Sequence, residues 1–360
     1  MRLLDASGIR KVFDLAAKMT DPINLSIGQP HFDVPQAVKA GAIAAIQAGK
    51  NKYTQTQGTA ELRAAIRQAC RDEFGWDDDR LYLITSGVSG ALMLAMLTLV
   101  DPGDEVVFAD PYFVMYSHLA NLADGTCVPV DTYDDFRPDA GKIADAITDR
   151  TRMLVINSPA NPTGSVYTEQ ELRDIADVAA QHDLLVISDE IYNLFCYDQP
   201  FVSMASIYQN TLLMRGFSKS YAMTGWRIGW CTGPRAIIEK MTMLQQYSFV
   251  CAPSMAQVAA LAALEADMSP EAAAYKRKRD MVYEALEPTF GLVKPGGAFY
   301  AFVPAPGGRA TAFVTRAIQN NVLTIPGNVF SARDTHFRIS YATSDDQLAR
   351  GLEILVNLAS

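Results

Sequence analysis

From about residue 80 the chain alternates short, continuous apolar runs with stretches of helical period. The runs "LYLITSG" (81–87), "DEVVFADPY" (104–112), "CVPVDT" (127–132), "RMLVINSP" (152–159), "LLVISDEIY" (184–192), "TLLMRGFSK" (211–219) and "WRIGWCTG" (226–233) read as strands. They lack polar alternation, so they are expected to be buried on both faces, with helices such as 168–182 between them. The pattern predicts an α/β fold built on a mainly parallel sheet. Polar residues gather where these runs end: Ser86-Gly87, Asp110-Pro111, Asn157-Ser158, Asp189-Glu190 and Ser218-Lys219. In open α/β sheets that carboxyl edge is where ligands bind.

After about residue 270 the texture changes. A charged helix precedes "LVKPGGAFYAFVP", a helix near 310–321, the strands "LTIPG" and "FRISYA", and a closing helix. This reads as a smaller α+β lobe, with the first 35 or so residues packed against it. A chain of 360 residues is long for one core, which agrees with two lobes. The most apolar stretch, "ALMLAMLTLV" (91–100), is too short to span a bilayer and reads as a buried helix.

Charge and cysteine usage narrow the function. A net charge of -9 argues against nucleic acid or an anionic membrane as partner, so any phosphate must be held by a few placed groups. Cys70, Cys127, Cys196, Cys231 and Cys251 show no CxxC spacing, which suits reduced thiols in a cytoplasmic protein. The opening residues carry acids and lack the apolar core of a signal peptide. The dinucleotide fingerprint GxGxxG and the Gly-Lys-Ser/Thr of a phosphate loop are absent. His31, His118, His182 and His336 stand apart, with no metal-ligand spacing.

What remains is a lysine, carboxylates at strand ends and loops suited to phosphate. In "GFSKSYAMTGWRIGW" (216–230) Lys219 sits between two serines, and Arg227 follows among Met223, Trp226, Ile228 and Trp230. An arginine in such surroundings is expected to be semi-buried and to need an anion. "SGVSGAL" runs from strand to helix and offers backbone amides and the Ser89 hydroxyl to the same anion. Ser218 and Arg227 add a hydroxyl and a cation. Taken singly these are a surface loop, an N-capped helix, a local ion pair and a turn. Together with Asp189 they suit a cofactor bearing a phosphate, a basic ring nitrogen and an aldehyde, which describes pyridoxal phosphate.

The chain resembles the fold-type I, class I aminotransferases over nearly its whole length. The matching stretches are "LSIGQPHFDVP", "YTQTQGTAELRAAI", "DPGDEVVFADPYFVMY", "VINSPANPTG", "VISDEIY", "GFSKSYAMTGWRIGW" and "FRISYAT". "SGIRKVFDLAAKM" and "GAFYAF" are similar to the aspartate, aromatic and broad-range branch. The resemblance implies a mainly parallel seven-stranded sheet between helices, with residues 38–270 forming a large cofactor domain. Residues 271–360 would form the small domain, and 1–37 an arm that partly joins it. It implies that Lys219 takes the cofactor's aldehyde, Asp189 pairs with the pyridinium nitrogen, and Asn161 and Tyr192 bind the ring oxygen. Phe113 would stack on the ring. Val88, Ser89, Ser218 and Arg227 would surround the phosphate, with Tyr53 reaching it from the other subunit of a homodimer. Gly28 and Arg338 would receive the α-carboxylate of an amino acid or 2-oxo acid, with Phe13, Ile27 and Tyr300 on the opposite wall. No metal is implied. The same scaffold also supports carbon–sulfur β-elimination or cyclisation of S-adenosylmethionine, and a non-catalytic ligand-sensing domain is an alternative of another class.

Overall fold

The computed structural model describes residues 19–76 and 79–359. In chain order the elements begin with β1 (Ile23–Asn24), α1 (Gln36–Gln47), α2 (Ala60–Phe74), β2 (Tyr82–Thr85) and α3 (Gly87–Leu99). Next come β3 (Glu105–Asp110), α4 (Met115–Leu122), β4 (Thr126–Asp131), α5 (Ala140–Asp145), β5 (Thr151–Asn157), α6 (Glu169–Gln181) and β6 (Leu185–Asp189). They are followed by β7 (Thr211–Gly216), β8 (Gly229–Thr232), α7 (Arg235–Tyr247), α8 (Ser254–Leu264) and α9 (Ser269–Phe290). The chain closes with β9 (Tyr300–Pro304), α10 (Ala310–Gln319), β10 (Val322–Leu323), β11 (Ile325–Pro326), β12 (His336–Ser340) and α11 (Asp345–Ala359).

The seven apolar runs form one sheet in the order β2-β8-β7-β6-β5-β3-β4. The pairs β3–β4, β3–β5, β5–β6 and β6–β7 are parallel, and β8 runs antiparallel to both β7 and β2. The link from β7 to β8, residues 217–228, contains no α-helix, only the short 3-10 turn over Thr224–Trp226, and the chain returns antiparallel. The uniformly apolar α3 lies against the sheet, with Ala91, Leu92, Leu94, Ala95 and Met96 buried. Helix α6 shows the opposite design: an amphipathic stretch opened by a capping box between Thr168 and Glu171.

Beyond α9 the chain builds a second sheet, β11-β12-β9, all antiparallel. The early strand β1 pairs in parallel with β10, which ties the described start of the chain to this later part. Among the described residues no helix is long and apolar enough to cross a membrane.

Strand β8 is shorter than its sequence suggests. It starts at Gly229, because Arg227 adopts a left-handed conformation (φ 54°) after a short 3-10 turn over Thr224–Trp226. Met223, Ile228 and Trp230 are buried as their pattern implies, yet Arg227 itself is exposed rather than semi-buried. The turn carries its guanidinium out of the core and toward the start of α3.

Candidate active site

The carboxyl ends of the large sheet face β9 and β12 across a cavity of about 430 Å³. Its wall includes Gly28, Val88, Ser89, Phe113, Asn161, Asp189, Tyr192, Ser218, Lys219, Arg227, Tyr300 and Arg338. Eleven of the twelve site residues expected from sequence are therefore brought together. The exception is Tyr53, which lines a separate surface groove with Lys50 and Ser254 and is 84% exposed. Ile27 is not part of the cavity wall, and Phe13 lies outside the described residues.

One end of the cavity is built for an anion. Helix α3 begins at Gly87 with no side-chain cap on its first amides, so those donors face the cavity mouth. Gly87 has φ 69°, and a Cβ there would lie 2.7 Å from Arg227 Nη2, so only glycine lets the guanidinium approach the helix start. Arg227 is held by donating from Nη1 to the Thr224 carbonyl (3.0 Å) and from Nη2 to the Ser86 carbonyl (3.2 Å). Ser89 and Ser218 complete this end of the wall.

The middle of the cavity holds an acid and a base. Asp189 closes β6, is buried, and accepts from the Tyr116 hydroxyl (2.8 Å) and the Ile191 amide (3.3 Å). Burial pushes its carboxyl up to about 6, against the pull of those donors. A buried carboxylate in that condition fits a cationic ring nitrogen, which would offset its desolvation. Lys219 follows β7, and its Nζ donates to the Gly28 carbonyl at 2.5 Å. Burial lowers its amine to about 8, and the charges of Arg338 and Arg227 add to the effect. A lysine so placed is a competent nucleophile and base near neutral pH.

Arg338 on β12 is 1% exposed. Its Nη1 donates to Asn161 Oδ1 (2.9 Å) and its Nη2 to the Ser26 carbonyl (2.7 Å), while Nε has no partner. The guanidinium lies close to the rings of Tyr300 (4.5 Å) and Phe330 (4.8 Å). Burial lowers its proton affinity, and among the described residues no carboxylate pairs with it. A buried, unneutralised guanidinium is costly unless an anion joins it. It therefore fits a substrate carboxylate.

Tyr116 and Asn157 also belong to the site. Tyr116 stands one helical turn beyond Phe113 in "DPYFVMY", and its spacing could have flagged it, yet only the fold shows its contact with Asp189. Asn157 was legible as a strand end. Its side chain donates to the Asp189 carbonyl (2.8 Å) and accepts from the Asn161 amide (2.8 Å), locking the two loops together. Tyr300, read from sequence as an apolar wall, instead bonds through its hydroxyl to Tyr192 (2.9 Å).

The arrangement has counterparts. The sequence profile of the family "Aminotransferase class I and II" matches residues 20–355. The chain is 37% identical to a probable aspartate aminotransferase of Methanocaldococcus jannaschii, across 97% of this chain and 96% of that protein. It is 36% identical to aromatic-amino-acid aminotransferase 2 of Thermococcus litoralis, across 98% and 95%. Among solved structures, the aspartate aminotransferase from Thermus thermophilus with maleate superposes with a TM-score of 0.94. The identity is 35%, with 99% of this chain and 98% of that chain covered.

Proposed function

We infer the reaction from kinship and site together: the chain belongs to the class I and II aminotransferases, and it is a transaminase of the fold-type I class. Class I members use pyridoxal phosphate. That group supplies an aldehyde that condenses with amines and a protonated ring that draws electrons from the bonds at the substrate Cα. The observation that carries the reading is Arg338, a buried guanidinium without a carboxylate, facing the same cavity as a lysine of lowered proton affinity.

In this reading the α3 start, with Val88 and Ser89, holds the phosphate together with Ser218 and Arg227. Asp189 keeps the ring nitrogen protonated, Asn161 and Tyr192 bind the ring oxygen, and Phe113 covers a ring face. The Asn161 oxygen is taken by Arg338, so its Nδ2 is the donor left for the ring oxygen. Arg338 and Gly28 seat the α-carboxylate, which turns the Cα proton toward Lys219. The Lys219 amine would take that proton from Cα as a base and give it up again as an acid. With water supplying the oxo oxygen and pyridoxal phosphate carrying the amino group in between, an L-amino acid would leave as a 2-oxo acid, and a second 2-oxo acid such as 2-oxoglutarate or pyruvate would accept the amino group. The relatives named above are aminotransferases, which favours transfer over elimination on the same scaffold.

The donor side chain is read from the remaining wall. Val88, Leu92, Val114, Met115 and Ile191 are apolar. Among the described residues, Lys219, Arg227 and Arg338 are the only lysines or arginines that line the cavity, and all three already have roles. Arg333 is committed to Asp131 (2.6 Å), and Arg10 lies outside the described residues. We therefore propose aromatic and other neutral donors, since each buried CH₂ is worth about 0.8 kcal/mol. Aspartate use would need a further cation from outside this wall. A donor panel against 2-oxoglutarate and pyruvate, read by half-reaction spectroscopy, tests this. Strict aspartate use without turnover of phenylalanine, tyrosine or leucine would overturn the apolar pocket. Arg338→Ala should raise KM for every donor by roughly 100-fold, the scale of losing one buried charge partner.

A cytoplasmic homodimer with shared sites completes the proposal, with residues 38–270 as its cofactor domain and 271–360 plus the early arm as the small domain. Large apolar side chains stand exposed at Ile43, Ile46, Met243 and Tyr247. Gln245 of α7 donates to the Thr56 carbonyl (2.6 Å), which places the α7 end beside the Tyr53 loop. Tyr53 reaches nothing in its own cavity, but its hydroxyl would meet the phosphate of a second subunit. Tyr53→Phe is expected to weaken cofactor retention by about 1–2 kcal/mol, one hydrogen bond to a charged acceptor. Sedimentation showing a fully active monomer would exclude the shared site.

A further inference from the structure

Tyr300 opens β9 opposite Ser340 of β12 and is 1% exposed. One side chain there touches three parts of the site. Its ring lies 4.5 Å from the Arg338 guanidinium, which also has the Phe330 ring at 4.8 Å. Its hydroxyl is 2.9 Å from the equally buried hydroxyl of Tyr192. The same oxygen rests against Gly28, where an added Cβ would come within 2.4 Å of it, and the Gly28 carbonyl is the acceptor of Lys219. Glycine at 28 is thus needed for the phenol to occupy its place.

Two buried phenols that share one hydrogen bond have a direction to choose, and Arg338 decides it. Both hydroxyls are held above their ordinary range by burial and Arg338 eases the ionisation of each, but the cation lies directly against the Tyr300 ring, at 4.5 Å, which makes Tyr300 the better donor. Tyr192 then accepts from Tyr300, and its own proton is free to point into the cavity. Accepting one bond also polarises the hydroxyl that donates the next.

We propose that Tyr300 is a positioning residue that couples the carboxylate receptor to the cofactor end of the site. Its ring holds Arg338, and its hydroxyl fixes Tyr192 as a donor to the cofactor's ring oxygen. This rests on the aminotransferase reading above and adds a residue and a direction to it. The two halves of the side chain have separable effects. The ring governs how well any α-carboxylate is received. The hydroxyl governs how strongly Tyr192 stabilises an anionic ring oxygen, and a stronger donor there favours the form carrying fewer protons.

The test uses the protein loaded with pyridoxal phosphate and reads the pH midpoint of its visible absorption band beside steady-state kinetics. Tyr300→Phe keeps the ring, so donor KM should stay within about twofold. The absorption midpoint should rise by about one pH unit and kcat should fall about tenfold, the scale of one hydrogen bond to a charged group. Tyr300→Leu should show the same midpoint shift and raise KM for all donors alike. Because the hydroxyl acts through Tyr192, Tyr192→Phe combined with Tyr300→Phe should move the midpoint no further than Tyr192→Phe alone. An unmoved midpoint in Tyr300→Phe, or additive shifts in the double variant, would overturn the coupling while leaving the aminotransferase reading intact. A midpoint unmoved by Tyr192→Phe itself would remove the role of Tyr192 in that reading, and the coupling with it.

Discussion

Lys219→Ala is expected to lower transamination by at least ~10³-fold, the upper range of what a positioned acid–base group contributes. Two functions leave with the amine. The covalent anchor for the aldehyde is lost, and among the described residues no second lysine lines the cavity. Cofactor binding should survive, because Arg227, the α3 start and Asp189 are untouched. Fluorescence titration with pyridoxal phosphate would then show binding without turnover. Turnover at the wild-type rate would dismantle the central assignment. The unliganded protein offers an independent check. Lys219 is lowered to about 8, so it is mostly protonated at pH 7 and half neutral near pH 8. Competitive acylation followed by peptide mass spectrometry should show Lys219 labelling rise with a midpoint near 8, well below that of surface lysines.

Asp189→Ala is the second large effect expected: a kcat lower by ~10³-fold or more at saturating cofactor, about 4 kcal/mol at ~1.4 kcal/mol per tenfold. Without the carboxylate nothing at that depth favours a protonated ring nitrogen. Stability should move the other way. The folded Asp189 titrates near 6 and an unfolded one near 3.8, so the folded state carries a penalty that is absent below both values. The penalty grows between those values and is constant above about 6. Removing the carboxylate should leave the unliganded protein at pH 7 no less stable. Thermal melts at pH 7 and pH 4 would show this, and a large loss of Tm at pH 7 would mean that Asp189 is structural. Activity close to wild type would sink its proposed role.

Much of this site was legible because its chemistry is local. Six of the seven sheet strands announce themselves as apolar runs, since a strand buried on both faces can admit few polar groups. The exception is β4, at the sheet edge, which buries only Val130 and departs from the expected burial. Their polar terminators, Asp189, Asn157, Ser218 and Lys219, follow directly in the chain. The mainly parallel order follows from the helices between runs, and Gly87 marks the strand-to-helix turn at the anion end.

Tertiary structure decided what depends on distance along the chain. Arg338 meets Asn161 across 177 residues, and Tyr300 meets Tyr192 across 108, because β9 and β12 are carried over the edge of the large sheet. No periodicity encodes such a meeting. Asp189 acquires its raised proton affinity from burial and its hydroxyl partner from Tyr116, 73 residues earlier. Arg227 was misjudged for the same reason. Its neighbours are buried, but a left-handed backbone turns its side chain outward, and hydrophobic pattern reports the burial of a segment rather than the path of one side chain. Hydrophobic period determined which segments become strands and helices; only the packed fold determined which charged and polar groups are gathered at the cavity, and those groups carry the chemistry.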